Sequence, residues 1–146
     1  MKENSPIFFI EEIWHYLSPF SAHQIEIWGE KFATVEHAYQ CAKFLPGKVR
    51  DEIKNAPSAY AAWKTNWKYK NDKNLLTPNF EKDKIMEELF RAKIAQHAEV
   101  LEILKLSGER GLLKNVEDDY YWGTGKDGSG QNRMGKIWMK IRSELK

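Results

Sequence analysis

Three residues at helical spacing, Glu36, Gln40 and Lys43, bring a carboxylate, an amide and an amine together. On a wheel turning about 100° per residue with Glu36 at zero, Gln40 falls near about 40° and Lys43 near about −20°, so all three share one narrow stripe. Val35, Ala38, Tyr39, Cys41 and Ala42 fill the opposite arc. Two readings fit: an active-site helix that presents an acid, an amide and an amine to a ligand, or a solvated polar face whose apolar side meets the core. Thr34 caps this helix, which puts Glu36 in its first turn, where the helix dipole stabilises a carboxylate. His37 joins His15, His23 and His97 in no recognised metal spacing, so it reads as a hydrogen-bonding packer and no metal site is expected.

The second stretch runs from Asp119 to Gly135 and is the densest punctuation in the chain. It contains G-x-G-x-x-G at Gly123, Gly125 and Gly128, but only 18 residues follow Gly128. A dinucleotide fingerprint needs a second strand and an acid about 20 residues further on, so that reading fails. What remains is a glycine loop with open backbone N–H groups that delivers Asn132 and Arg133 to a helix start, a cradle for an anion. The other reading is an ordinary long turn. Trp122 beside the loop favours a ligand with both a phosphate and a flat base.

A third stretch, Trp63 to Lys70, interleaves aromatics with lysines, as single-strand nucleic-acid grooves do. Trp63 and Trp67 are four apart on one helical face, so the favoured reading is core tryptophans with lysines on the rim.

The elements that must position these groups follow from pattern. The 146 residues suit one domain, 1–146, with 23 Lys and Arg against 21 Asp and Glu. A formal charge of +2 excludes polybasic binding driven by net charge alone. The single cysteine, Cys41, excludes an internal disulfide and a thiolate zinc site, and a reducing cytoplasm is the expected home. The apolar run Ile7 to Ile10 is too short for a signal core or a membrane span and reads as a first strand. A short hairpin around Gln24 to Phe32 leads into a helix over Val35 to Phe44. Helices over Lys48 to Ala56 and Ser58 to about Tyr69 follow, separated at Pro57. The steps of Ile85, Met86, Leu89, Phe90 and Ile94 predict another, and Val100 to Leu104 continue it after His97 until Ser107-Gly108. The last helix spans Arg133 to Leu145, with Met134, Ile137, Trp138, Ile141 and Leu145 inward. The fold class is mostly α with a small β element.

Thr34-Val35-Glu36-His37-Ala38-Tyr39-Gln40 with Lys43 in front, and Asp119-x-x-Trp122-Gly123-x-Gly125, Gly130-x-Asn132 and Met134-Gly135-Lys136-x-x-Met139-x-x-Arg142 behind, closely resemble the YbiA-like NADAR family. The resemblance extends from about Trp14 to Leu145. Leu17-Ser18-Pro19-Phe20 looks like the family's early Leu-Ser-Asn-Phe element, with Pro19 where Asn is common, and Lys114 stands where many members carry an acid.

The resemblance implies a single-domain, mostly helical N-glycosidase that cleaves the bond between ribose C1 and an exocyclic amine, without a cofactor. The first expected substrates are the phosphoribosylamino-pyrimidine intermediates of riboflavin biosynthesis, since the chain carries no attached second module. The second are ADP-ribosyl-guanine groups in nucleic acid or nucleotides. A catalytically silent binder of NAD or ADP-ribose is the reading from another class, and the presence of both Glu36 and Lys43 argues against it. By resemblance the catalytic residues are Glu36, Lys43 and Asp119. His37, Gln40, Trp122, Gly123, Gly125, Asn132, Arg133 and Gly135 are substrate-binding. An aminal of ribose opens to an imine that an unprotonated Lys43 attacks to form a Schiff base, with Glu36 moving protons. Asp119 and Asn132 hold ribose hydroxyls and Trp122 walls the base. Lys43 then needs a lowered pKa, with Trp122 and Tyr39 as its apolar wall and Glu36 opposing. The partner is a small molecule, with ADP-ribosylated guanine in nucleic acid as the alternative, and no membrane.

Overall fold

Local signals set most element ends in the computed structural model, which describes residues 5–145. By packing, these fall into two compact units, residues 19–96 and residues 5–18 with 97–145.

The first strand, β1 (Ile7–Phe8), lies in the other unit; in the 19–96 unit β2 (Ile25–Ile27) pairs antiparallel with β3 (Glu30–Phe32). Trp28 and Gly29 join them with φ of 56° and 77°. Two successive left-handed residues make the mirror-image turn whose twist suits a tight hairpin. Four helices follow: α1 (Val35–Ala42), α2 (Lys48–Lys54), α3 (Ala59–Tyr69) and α4 (Lys82–Gln96). The Thr34 hydroxyl accepts the His37 N–H at 3.1 Å, and Ser58 Oγ accepts that of Ala61 at 3.0 Å, so both caps act as their residue types predict. Helix α1 stops short of the expected Phe44, because Lys43 is its cap and Phe44 turns aside to bridge Leu76. Glu30 fastens the hairpin to α2: Arg50 Nη2 lies 2.6 Å and Lys54 Nζ 3.0 Å from its carboxylate. Those two hydrogen bonds, from Arg50 first, hold the Glu30 pKa down to about 2.

Helix α3 corrects an expectation. Trp67 is 51% exposed and Tyr60 56%, so the Trp63 to Lys70 stretch does not supply core tryptophans. Ala59, Ala62 and Asn66 are its buried residues instead. Small residues let α3 lie close on α1 and α2, which leaves the aromatic arc outside.

In the other unit, β1 (Ile7–Phe8) pairs in parallel with β4 (Leu112–Leu113), and the Phe9 N–H extends the ladder to Leu113 O at 3.1 Å. The strand is thus shorter than the Ile7 to Ile10 run, and a 3-10 helix, Glu12–Leu17, takes over. Helices α5 (Ala98–Leu106) and α6 (Arg133–Ser143) complete the unit. The predicted inward stripe of α6 is buried at Met134, Ile137, Trp138 and Ile141, whereas Leu145 lies beyond the helix and is exposed. Arg142 Nη1 reaches Ser107 Oγ at 2.8 Å, which ties α6 to the end of α5.

Trp138 is fully buried and its indole N–H donates to Leu17 O at 2.8 Å. Trp138→Phe removes the donor from that carbonyl, so it should lower unfolding free energy by about 1–3 kcal/mol. Urea denaturation followed by circular dichroism measures this, and a loss below about 0.5 kcal/mol would mean that the bond contributes no net stability.

Candidate active site

Every residue of α1 from Val35 to Cys41 is buried, including Glu36 at 5% and Gln40 at 3% exposure. The polar stripe is therefore not a solvated face. Helix α1 packs against α2, α3 and α4, so it is enclosed rather than half-wet. The Glu36 N–H donates to Pro19 O at 3.0 Å, which ties the start of the helix to the first residue of its own unit.

Inside this helix Gln40 Nε2 donates to Glu36 Oε2 at 2.6 Å. A carboxylate only accepts, so the amide turns its NH₂ toward Glu36 and its oxygen away. That oxygen, Gln40 Oε1, is buried without a hydrogen-bond partner among the described residues. Leaving such a group unmet costs about 1–3 kcal/mol, so a water or ligand donor there would be stabilising.

Lys43 follows one turn on, with Nζ 4.9 Å from the centre of the Tyr39 ring, and Tyr39 leans on Phe80 at 5.7 Å. Burial pushes the Lys43 amine down to about 8; the Glu36 charge pushes it back up, while Lys82 and Lys70 push it further down. Roughly a tenth of such an amine is neutral at pH 7, against a few parts in ten thousand at the ordinary lysine value. Tyr39 is one of the two wall residues expected for it, and Lys82 and Lys70 are the neighbouring cations, whose identity the sequence did not reveal.

His37 spends both ring nitrogens inside the same unit. Nε2 lies 3.0 Å from Ala56 O, which can only accept, so Nε2 carries the proton. Nδ1 then takes the Thr34 hydroxyl at 2.8 Å. This is the packing arrangement, and it fixes the first turn of α1. Burial pushes the Cys41 thiol up to about 12, so it offers no thiolate.

The second group of expected site residues gathers in the other unit, around the loop before α6. Asp119 Oδ1 accepts the N–H groups of Trp122 at 2.9 Å and Tyr121 at 3.3 Å, and Oδ2 takes Lys114 Nζ at 2.7 Å. Burial works to raise its pKa but is outweighed by the charge and hydrogen bond of Lys114 and those two N–H groups, so it lies below the usual carboxylate range. Asp119 thus stays ionised and organises the turn that presents Trp122, which meets Tyr121 edge-on at 5.0 Å.

Asn132 adopts the left-handed conformation, φ 48° and ψ 43°. Its Nδ2 donates to Leu112 O and its Oδ1 accepts the Lys114 N–H, both at 2.9 Å, so the side chain stitches β4 to the start of α6. Gly135 belongs to the same joint, since a Cβ there would collide with Leu112 O and the Asn132 amide. At Gly123 a Cβ would lie 2.6 Å from Lys114 O and 2.9 Å from Asp119 O. Gly125 sits at φ 71° against the Tyr120 ring.

The expected cradle of open N–H groups is corrected here. The N–H groups of Asn132, Arg133 and Met134 donate to the carbonyls of Gly123, Tyr121 and Trp122 at 2.9 to 3.1 Å. The glycines allow this close return of backbone, so the N–H groups at the start of α6 are spent within the loop. The Arg133 guanidinium lies over the Tyr121 ring at 5.4 Å and reaches Gln131 Oε1 at 3.4 Å.

Sequence reasoning missed Lys93, which is fully buried in α4 and donates to Ser21 Oγ at 2.5 Å. Ser21 Oγ in turn lies 2.8 Å from His23 Nδ1. Burial pushes the Lys93 amine down to about 7. The signal was its position, four residues after Leu89 and three after Phe90 on the apolar face of α4. Among the described residues no helix is long and apolar enough to cross a membrane.

The chain is similar to proteins of known family. The NADAR domain matches residues 7–146. The N-glycosidase YbiA of Shigella flexneri is 36% identical over 130 residues, 88% of this chain and 79% of that protein. A riboflavin biosynthesis protein of Vibrio vulnificus is 28% identical over 142 residues, 96% of this chain and 38% of that protein. The solution structure of Escherichia coli YbiA superimposes with a TM-score of 0.81 at 31% identity, covering 99% of this chain and 86% of that one. The mostly helical fold with its small β elements is thus the YbiA fold, and the chain belongs to the NADAR family.

Proposed function

We propose that this protein is an N-glycosidase that hydrolyses the bond between ribose C1 and the exocyclic amine of phosphoribosylamino-pyrimidines, releasing ribose 5-phosphate and the free aminopyrimidine. The observation that carries this reading is the buried pair Glu36 and Gln40 with the half-buried Lys43 one turn on, whose amine is held near pKa 8 over Tyr39. The names of the relatives support it: one is an N-glycosidase and another a riboflavin biosynthesis protein.

The chemistry uses these groups in order. The ribose ring opens as the C1–O4′ bond breaks, O4′ takes a proton and C1 becomes an iminium carbon on the substrate nitrogen. Neutral Lys43 adds to C1, its proton passes by way of Glu36 to the substrate nitrogen, and the aminopyrimidine leaves as a neutral amine. Water then adds to the lysine–ribose imine, Lys43 departs, and the free aldehyde closes to ribose 5-phosphate. Gln40 holds Glu36 through its NH₂ while its oxygen accepts a hydrogen bond from a ribose hydroxyl or the substrate N–H. By resemblance to the family, Trp122 is assigned to the base and Arg133 to the phosphate, and Asp119, Asn132, Gly123, Gly125 and Gly135 build the loop that carries these two. His37 keeps α1 in register rather than touching substrate.

The test incubates the protein with a phosphoribosylamino-pyrimidine and, separately, with ADP-ribosyl-guanosine and reads the products by mass spectrometry. Free aminopyrimidine and ribose 5-phosphate are expected, with Glu36→Gln slower by about a hundredfold at an unchanged melting temperature. Action on ADP-ribosyl-guanosine alone would transfer the site to that substrate class, and full activity in Glu36→Gln would remove Glu36 from the mechanism.

The pH dependence follows from the amine. Deprotonation is gained as pH rises, so kcat/KM should climb through a pKa of about 8 and then level, provided Lys43 must be neutral in the free enzyme. A rise that continues toward the ordinary lysine value would show that Lys43 is not tuned.

A further inference from the structure

We propose that the outward face of α3 is a binding strip for single-stranded nucleic acid, built on residues other than Glu36, Gln40 and Lys43 and independent of the glycosidase reading. Tyr60, Trp63 and Trp67 lie on one face of α3, at steps of three and four residues. Their rings form a continuous ladder: Tyr60 stacks on Trp63 at 5.7 Å and 29°, and Trp63 meets Trp67 at 5.7 Å and 60°. The two outer rings are more than half exposed. Successive bases stack on such platforms whatever their identity, because every base has a π face.

The charged side chains of α3 itself are all cationic. Helix α3 contains Lys64 and Lys68 and no acidic residue, and Lys70 follows at once. Lys70 Nζ sits 3.3 Å from the centre of the Trp67 ring and Lys64 Nζ 5.9 Å from that of Tyr60, so a base that stacks on Trp67 displaces the Lys70 amine toward the phosphate beside it. Two neighbouring acids already accept hydrogen bonds: Glu52 from Thr65 Oγ1, off the aromatic arc of α3, and Asp72 from the Asn74 N–H. A second copy of the chain seated here would set these lysines against their like. A lipid surface is disfavoured because the arc of Tyr60, Trp63, Lys64, Trp67 and Lys68 holds no aliphatic side chain to enter acyl chains. Flat rings edged by cations fit a flexible polyanion with exposed bases.

Fluorescence anisotropy of labelled oligothymidylate and oligouridylate of about 20 nucleotides, titrated with the full chain at several salt concentrations, tests the proposal. Saturable binding is expected, with log affinity falling against log salt at a slope of about −2 for three phosphate contacts. The two oligonucleotides separate DNA from RNA as the source. Trp67→Ala should weaken binding by roughly fivefold to a hundredfold, the scale of one lost base stack. Lys64→Gln combined with Lys68→Gln should flatten the slope, and this pair keeps the test decisive if the tryptophan variant folds poorly. Hydrolysis of the small substrate by the Lys64→Gln, Lys68→Gln pair should stay at the wild-type rate, since neither amine acts on Lys43. No saturable binding at low salt, or binding unchanged in both variants, overturns the strip. So does self-association, or retention on phosphatidylserine vesicles, that Trp67→Ala abolishes while the oligonucleotides fail to bind.

Discussion

The hydrogen bond of 2.6 Å between Gln40 and Glu36, enclosed in the most deeply packed helix of its unit, is the constraint on which the chemistry depends. A buried carboxylate is expensive unless its lone pairs are met, and an amide one turn along the same helix meets it without help from solvent. That choice has a consequence for Gln40, whose carbonyl oxygen is left facing away with no partner among the described residues. It also sets the field at Lys43, because the Glu36 charge draws its pKa up while burial and the amines of Lys82 and Lys70 draw it down. Burial is the larger effect, and an amine near 8 is both protonated enough to sit over Tyr39 and neutral often enough to attack.

The loop before α6 solves a different problem, how to hold many glycines still. Its backbone N–H groups return to its own carbonyls, Asp119 pins the turn at Trp122, and Asn132 ties the helix start to β4. The glycines at 123 and 135 are there because backbone passes where a side chain would stand. Rigidity of this kind suits side chains that must be held in one pose, and Trp122 and Arg133 are the two it carries.

Much of this was legible in the residues. The caps at Thr34 and Ser58, the apolar stripe of α6 and the separation into short helices follow from side-chain chemistry that acts locally. The stripe of Glu36, Gln40 and Lys43 was visible too, but its burial was not, because whether a polar face is wet depends on which helices cover it. The same limit explains α3. A spacing of four placed Trp63 and Trp67 on one face, yet Ala59, Ala62 and Asn66 turned out to be the side that packs. Lys93 escaped notice since a lysine on an apolar stripe ordinarily extends its amine to water, and here Ser21 receives it inside. The open-cradle reading of the glycine loop failed because sequence shows which N–H groups exist and not which carbonyls return to them.

The central claim is that Lys43 forms a covalent bond to ribose C1. Borohydride added during turnover delivers hydride to a lysine–ribose imine and makes it a stable secondary amine, so the peptide containing Lys43 should gain the mass of a reduced ribose phosphate, and Lys43→Arg should neither gain it nor turn over. An unmodified peptide together with an active Lys43→Arg variant would contradict the account and leave direct attack by water, assisted by Glu36, in its place.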